Sequence, residues 1–208
     1  MHISYQDNGG AARAALAVEA ESGEASPNLS ELLFDVSPVS VSATQAAVAG
    51  ALLYGSSALK RLKVNGEMLN VDVASLSHII ELPVDVDSVT ASESQQDVPL
   101  RQTMLRVSMG VNLANNTPGR DETNLNLVPS ERYFGGLLGI KEAVVASNAW
   151  LHATYVSPVR VLAATGVLFA HDFLAHGLVL PETTSSEKDI INRLCRVVGL
   201  ETTFGATG

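Results

Sequence analysis

The stretch "RLKVNGEMLNVDV", residues 61–73, sets the reading of the rest of the chain. Asn65-Gly66 is the dipeptide favoured in a two-residue type I′ hairpin turn. Pairing about that turn places Val64 opposite Glu67 and Leu62 opposite Leu69. Leu62, Val64, Leu69, Val71 and Val73 then share one dry face, and Arg61, Lys63, Met68, Asn70 and Asp72 take the other. The spacing predicts a hairpin, and with it an antiparallel sheet.

Two further segments alternate with a period of two. Leu82, Val84 and Val86 stand against Pro83, Asp85 and Asp87, which reads as a half-buried strand with an acidic outer face. Leu105, Val107, Met109, Val111 and Leu113 stand against Arg106, Ser108, Gly110 and Asn112. These strands and the hairpin make up the expected sheet.

Helix signals cover more of the chain. Ser42 and Gln45 form a capping box ahead of an alanine-rich face over 43–59. Pro129-Ser130 opens a helical pattern through Phe134, Leu137, Leu138, Lys141, Val144 and Val145. Ser157 and Pro158 mark a start, and Gly177 a stop, for an apolar helix that includes the segment LFAHDFLAH, residues 168–176. Ser186 with Asp189 starts a last helix, striped by Ile190, Ile191, Leu194, Val197 and Val198 and ended by Gly199. Strands and helices do not alternate regularly, which argues against a parallel sheet. The expected class is α+β: a helix-dominated single domain over 29–208 with a small antiparallel sheet. Residues 1–28, rich in Ala, Gly, Ser and Glu, are read as a flexible or partner-ordered arm with a short helix over 11–21. No internal repeat is visible.

Composition limits the function. The 208 residues are 46% hydrophobic, only 17% charged and only 5% aromatic, so the core is built from aliphatic side chains and alanine. A net charge of -9 has the wrong sign for displacing counterions from nucleic acid, so no direct nucleic-acid binding is expected. The cluster Lys60, Arg61 and Lys63 reads as a helix terminus and not a basic patch. Cys195 is the single cysteine, so no intrachain disulfide is possible, which fits a reducing compartment or an assembled particle. No basic region followed by an apolar run marks a signal peptide, and no uninterrupted apolar run reaches the length of a membrane span.

The candidate site lies in LFAHDFLAH. On a regular helix His171 and His176 are i, i+5 and lie about 140° apart, so one metal cannot take both. Asp172 and His176 are i, i+4 and share a face with Thr165. An aspartate there orients or charges the imidazole, which makes Asp172 and His176 a candidate catalytic acid/base pair. The same pair equally suits a charged helix terminus. Asp85 with Asp87, Cys195 between Arg193 and Arg196, and the GGLLG run are weaker candidates. GGLLG lacks the lysine and hydroxyl residue of a phosphate loop. No metal and no cofactor are expected. Two functions follow. One is a structural, self-associating subunit of coat or assembly type, a homo-oligomer or bound to a protein partner, without catalytic activity. The alternative is a small enzyme using Asp172 and His176.

Overall fold

The structure is a computed structural model that describes residues 1–7, 14–55, 60–91, 103–110, 119, 121–139 and 141–205, with 137–139 described by their backbone alone. Strand content exceeds helix content, and the strands form one large mixed sheet in place of the small antiparallel one expected from the sequence. In chain order the elements are β1 (His2–Asp7), β2 (Ala14–Glu19), β3 (Glu31–Phe34), α1 (Ala43–Tyr54), β4 (Leu62–Leu69), α2 (Asn70–Ile80) and β5 (Val84–Thr90). Then come β6 (Thr103–Met109), β7 (Glu122–Pro129), β8 (Gly136–Gly139), β9 (Glu142–Ser147), α3 (Ala149–His152), α4 (Pro158–Phe169), β10 (Ala175–Pro181), α5 (Ser185–Val197) and β11 (Glu201–Gly205).

The hairpin expectation fails at Asn65-Gly66, and the helix-dominated fold fails with it. β4 runs straight through the dipeptide and pairs in parallel with β1 on one side and β5 on the other. A type I′ turn needs positive φ at both central residues. Here Gly66 alone has it, at 108°. The register against β5 slips between Val64 and Glu67, so two residues of β4 oppose Asp87 alone: a β-bulge. The Asp87 carboxylate accepts the Gly66 N–H at 2.7 Å, which satisfies the backbone donor that the bulge displaces. The expected return strand is instead α2. It leaves Val71 62% exposed, buries Leu76 and carries the chain over to parallel β5.

Three more expectations change in the same direction. Residues 14–19, read as helical within an arm, are β2, paired antiparallel to both β1 and β3. The helical pattern over 130–148 is two antiparallel strands, β8 and β9. The long helix over 158–176 stops at Phe169, and Ala175 begins β10. The helix of 43–59 is confirmed in its start: Ser42 and Gln45 form the capping box, and α1 ends at Tyr54. In α5 the capping side chain is Thr184, which accepts from Glu187 N, while Gly199 ends the segment at φ 68°.

The sheet order is β11-β10-β6-β7-β9-β3-β2-β1-β4-β5, with β8 added on β9. Setting β8 aside, the two halves share one pattern. In each, the strands lie in the order third, second, first, fourth, fifth. A buried helix follows the third strand (α1, α4), and a second helix links the fourth to the fifth (α2, α5). α1 and α4 pack on each other and are buried nearly all round. α2 accompanies one end of the sheet and α5 the other, yet they touch. The sheet therefore curls around the α1–α4 pair.

The halves meet where β3 and β9 end. One residue pair, Phe34 with Ser147, joins them in the ladder. Side chains complete the seam. Asn148 accepts from Leu33 N and donates to Glu31 O, each at 2.8 Å. The Asp35 carboxylate accepts from Ala146 N at 2.8 Å and from Gly135 N. The Phe34 ring meets Phe169 edge-on at 5.2 Å.

Candidate functional site

The segment LFAHDFLAH is a helix end, a turn and a strand start. The chain reverses through 171–174, with Leu174 N on His171 O and Ala175 N on Ala170 O, and Leu174 takes φ 49°. Asp172 is in this turn and His176 is on β10. The shared helix face that would bring them together does not exist, and no ion pair joins them among the described residues. Thr165 is fully buried in α4, with its hydroxyl on Val161 O.

Each residue of the pair has its own setting. Asp172 Oδ1 accepts from Val39 N at 3.0 Å, and His171 Nδ1 lies 3.4 Å from Ser40 Oγ, so the turn is tied to the loop ahead of α1. Burial pushes the Asp172 carboxyl above its ordinary range, opposed by the Val39 N–H and by His171. The Tyr5 hydroxyl nearby is pushed up to about 12 by burial and by Asp7 and Asp172, with Ser37 opposing. His176 is the bulged residue of β10: Ala175 pairs with Thr103 and Gly177 with Met104, leaving it unopposed. Its Nδ1 is buried without a hydrogen-bond partner. Gly177, read from sequence as a helix stop, is a close-approach site. A Cβ there would lie 2.8 Å from Met104 Sδ and 2.9 Å from Glu201 O.

The weaker candidates are occupied structurally. Asp85 pairs with Arg61 at 2.9 Å, and Lys63 pairs with Glu21. Cys195 is fully buried, and burial pushes its thiol up to about 12, well away from a reactive thiolate. The polar loops near 90–97 and 115–124, which the enzyme reading needs for a nucleophile or substrate group beside Asp172 and His176, fall outside the described residues at 92–97, 115–118 and 120. No cluster of three or more His, Cys, Asp or Glu side chains with metal-binding geometry occurs among the described residues.

A different site emerges at the C-terminal ends of β7 and β9. A cleft of about 210 Å³ is lined by Pro129, Ser130, Arg132, Asn148, Trp150 and Leu151, among others. No protein-family model, curated protein or solved structure matches this chain. The reading of the cleft therefore rests on its own chemistry. The chain has one Trp, four Tyr and five Phe; Trp150 lines the cleft, and three more of these ten rings are exposed within a few residues of its lining in sequence. Phe134 is 92% exposed, and Tyr133, Trp150 and Tyr155 are exposed as well. Next to Leu151 in α3, His152 is buried, with Nε2 on Glu31 O at 2.8 Å and its ring against Tyr54. Burial lowers its pKa, opposed by the bond to Glu31 O. Sequence reasoning placed Phe134 in a helix core. The overlooked signal was the crowding of rings into 131–155 in a chain so poor in them.

The outward face of β6, β7 and β9 carries a polar row. Ser108 Oγ donates to Asn126 Oδ1 at 2.7 Å, Asn126 Nδ2 donates to Glu142 Oε1 at 3.0 Å, and Arg106 pairs with Glu122. Asn124 and Asn126 are buried in it. Buried polar groups need such partners, and the row holds three parallel strands in register. No helix of the described residues is long and apolar enough to cross a membrane.

Proposed function

We propose that the chain is a structural subunit of coat or assembly type that associates with copies of itself through the face around Trp150. The observation that supports this reading is the exposed Trp150 and Leu151 in the cleft at the ends of β7 and β9, with Tyr133, Phe134 and Tyr155 exposed in the segments that supply it. Exposed apolar clusters with a polar rim characterise association surfaces, and Trp, Tyr and Phe are the side chains enriched there. The cleft, at about 210 Å³, is smaller than the roughly 300–1,000 Å³ of small-molecule sites, which favours a macromolecular contact over a substrate pocket. Ser130, Arg132 and Asn148 supply the polar rim.

Light scattering coupled to size exclusion tests the reading directly. The expected result is a mass above that of one chain that rises with concentration, and a return to monomer in the double variant Phe134→Ser, Trp150→Ser. A strictly monomeric wild-type chain at high concentration overturns it.

A further inference from the structure

The geometry points to Asn65-Gly66 as a self-modification site, at which the fold promotes attack of the Gly66 amide nitrogen on the Asn65 side chain. Three observations converge on this one dipeptide. The Gly66 N–H is bonded to the Asp87 carboxylate at 2.7 Å, which gives the nucleophile a base. His2 Nε2 lies 2.6 Å from Asn65 Oδ1; the oxygen only accepts, so the imidazole nitrogen donates, polarising the amide carbonyl and stabilising the oxyanion formed on attack. Gly66 has φ 108° and no Cβ, so nothing on its own side chain hinders the approach. The base is thus placed on the nucleophile and the electrophilic assistance on the amide before reaction, and the two reacting groups belong to adjacent residues, which is where proximity contributes to rate.

The step balances within the chain. A bond forms between Gly66 N and Asn65 Cγ, and the bond from Asn65 Cγ to Nδ2 breaks. The Gly66 proton passes to Asp87 and from there to the departing nitrogen, which leaves as ammonia. The product is a five-membered succinimide. Water then opens it at either carbonyl to aspartate or isoaspartate, and the shallow polar cleft of about 240 Å³ lined by His2, Lys63, Asn65, Asp85 and Asp87 admits that water. Either product sets a new carboxylate beside Asp87. Isoaspartate also lengthens the backbone of β4 by one carbon, between its partners β1 and β5, so modification loosens the first half of the sheet.

The test is a time course of intact mass and peptide mapping on the whole protein at neutral pH, run folded and again unfolded in urea. Ammonia loss at Asn65 is expected to be faster in the folded protein. It is expected to slow by about a hundredfold in Asp87→Asn and in His2→Phe, the lower end of what a positioned acid or base contributes. The folded-against-unfolded comparison needs no variant, so it stands even where a variant folds poorly. A folded wild-type protein that converts no faster than the unfolded chain overturns the proposal, as do folded variants that convert at the wild-type rate.

Discussion

The two halves of the sheet share one strand order and differ in the direction of their second strand. In residues 2–90, β2 is antiparallel to both β1 and β3. In residues 103–205, β7 is parallel to both β6 and β9. The outward faces differ too. The first half carries the Arg61–Asp85 pair, about half exposed on each side, while the second buries Asn124 and Asn126 in a hydrogen-bonded row. The inward faces stay alike: α1 lies on β1 and α4 on β6, each through a helix glycine. What the halves keep in common is the packing of a buried helix on its sheet; strand direction and outward chemistry diverge because that packing does not depend on them.

Breaking the seam between the halves is expected to have the largest effect. Asp35→Ala leaves the Ala146 and Gly135 N–H groups without their carboxylate, and should cost about 3 kcal/mol in urea unfolding. Asn148→Ala removes two backbone bonds to β3 and should cost about 2 kcal/mol. Costs near zero would mean that the Phe34–Ser147 pair and the α1–α4 contact hold the halves together unaided.

The next comparison is between the two helix glycines. A Cβ on Gly50 would lie 1.8 Å from Ile3 Cδ1, whereas one on Gly166 would lie 2.9 Å from Leu178 Cδ2 and 3.0 Å from Val107 Cγ2. Overpacking of this kind costs about 1–3 kcal/mol, partly offset by the helix propensity of alanine. Gly50→Ala should therefore fall near the upper end, at about 2 kcal/mol, and Gly166→Ala at about 1 kcal/mol or less. The reverse order, measured by denaturant midpoints, would show that α4 and not α1 makes the closer approach.

Acid should weaken the seam before it weakens the first half. His152 has a folded pKa below its ordinary value of 6.5 because burial disfavours the imidazolium. The unfolded chain takes up that proton more readily, so stability is full above 6.5 and declines as pH falls below it. Glu24, buried beside the Met1 ammonium at 2.5 Å, has the same sign in a lower window. Burial there acts to raise its pKa, but the ammonium and the N–H groups of Lys60 and Glu21 outweigh it and hold the carboxyl at about 2. Its contribution is present above the ordinary 4.5 and is lost as pH falls through about 2. Urea midpoints from pH 7 to 2 should show His152→Gln flattening the upper window and Glu24→Gln the lower. A wild-type slope between pH 7 and 5 in His152→Gln would remove His152 as its cause.

The smallest effect is expected at Cys195. Its buried thiol, pushed up to about 12, should resist alkylation in the native protein and react at once when unfolded. Rapid native alkylation would mean that the α5 side of the second half opens readily.

Some of this was legible in the chain. The strands near 82–87 and 104–113 were legible from alternation, and the structure has β5 over Val84–Thr90 and β6 over Thr103–Met109, with 111–113 outside the described residues. The capping box at Ser42, the start at Pro158 and the stop at Gly199 rest on contacts within a few residues, and the structure keeps them. Asp172 and His176 were paired on a face that required α4 to continue to 176. Their true settings, beside Val39 and at the β10 bulge against β6, depend on residues far away in sequence. The repeated strand order was invisible because only the packing repeats, not the side chains.

The sequence by itself determined the aliphatic, alanine-rich core, the acidic charge and the helix starts at Ser42 and Pro158, because propensity and capping are short-range. Only the tertiary structure decided that Asn65-Gly66 bends a strand and does not reverse it. Both uses need a glycine at positive φ, and the choice between them belongs to β1, β5 and the Asp87 carboxylate, which take up the backbone groups that a hairpin would have paired with itself.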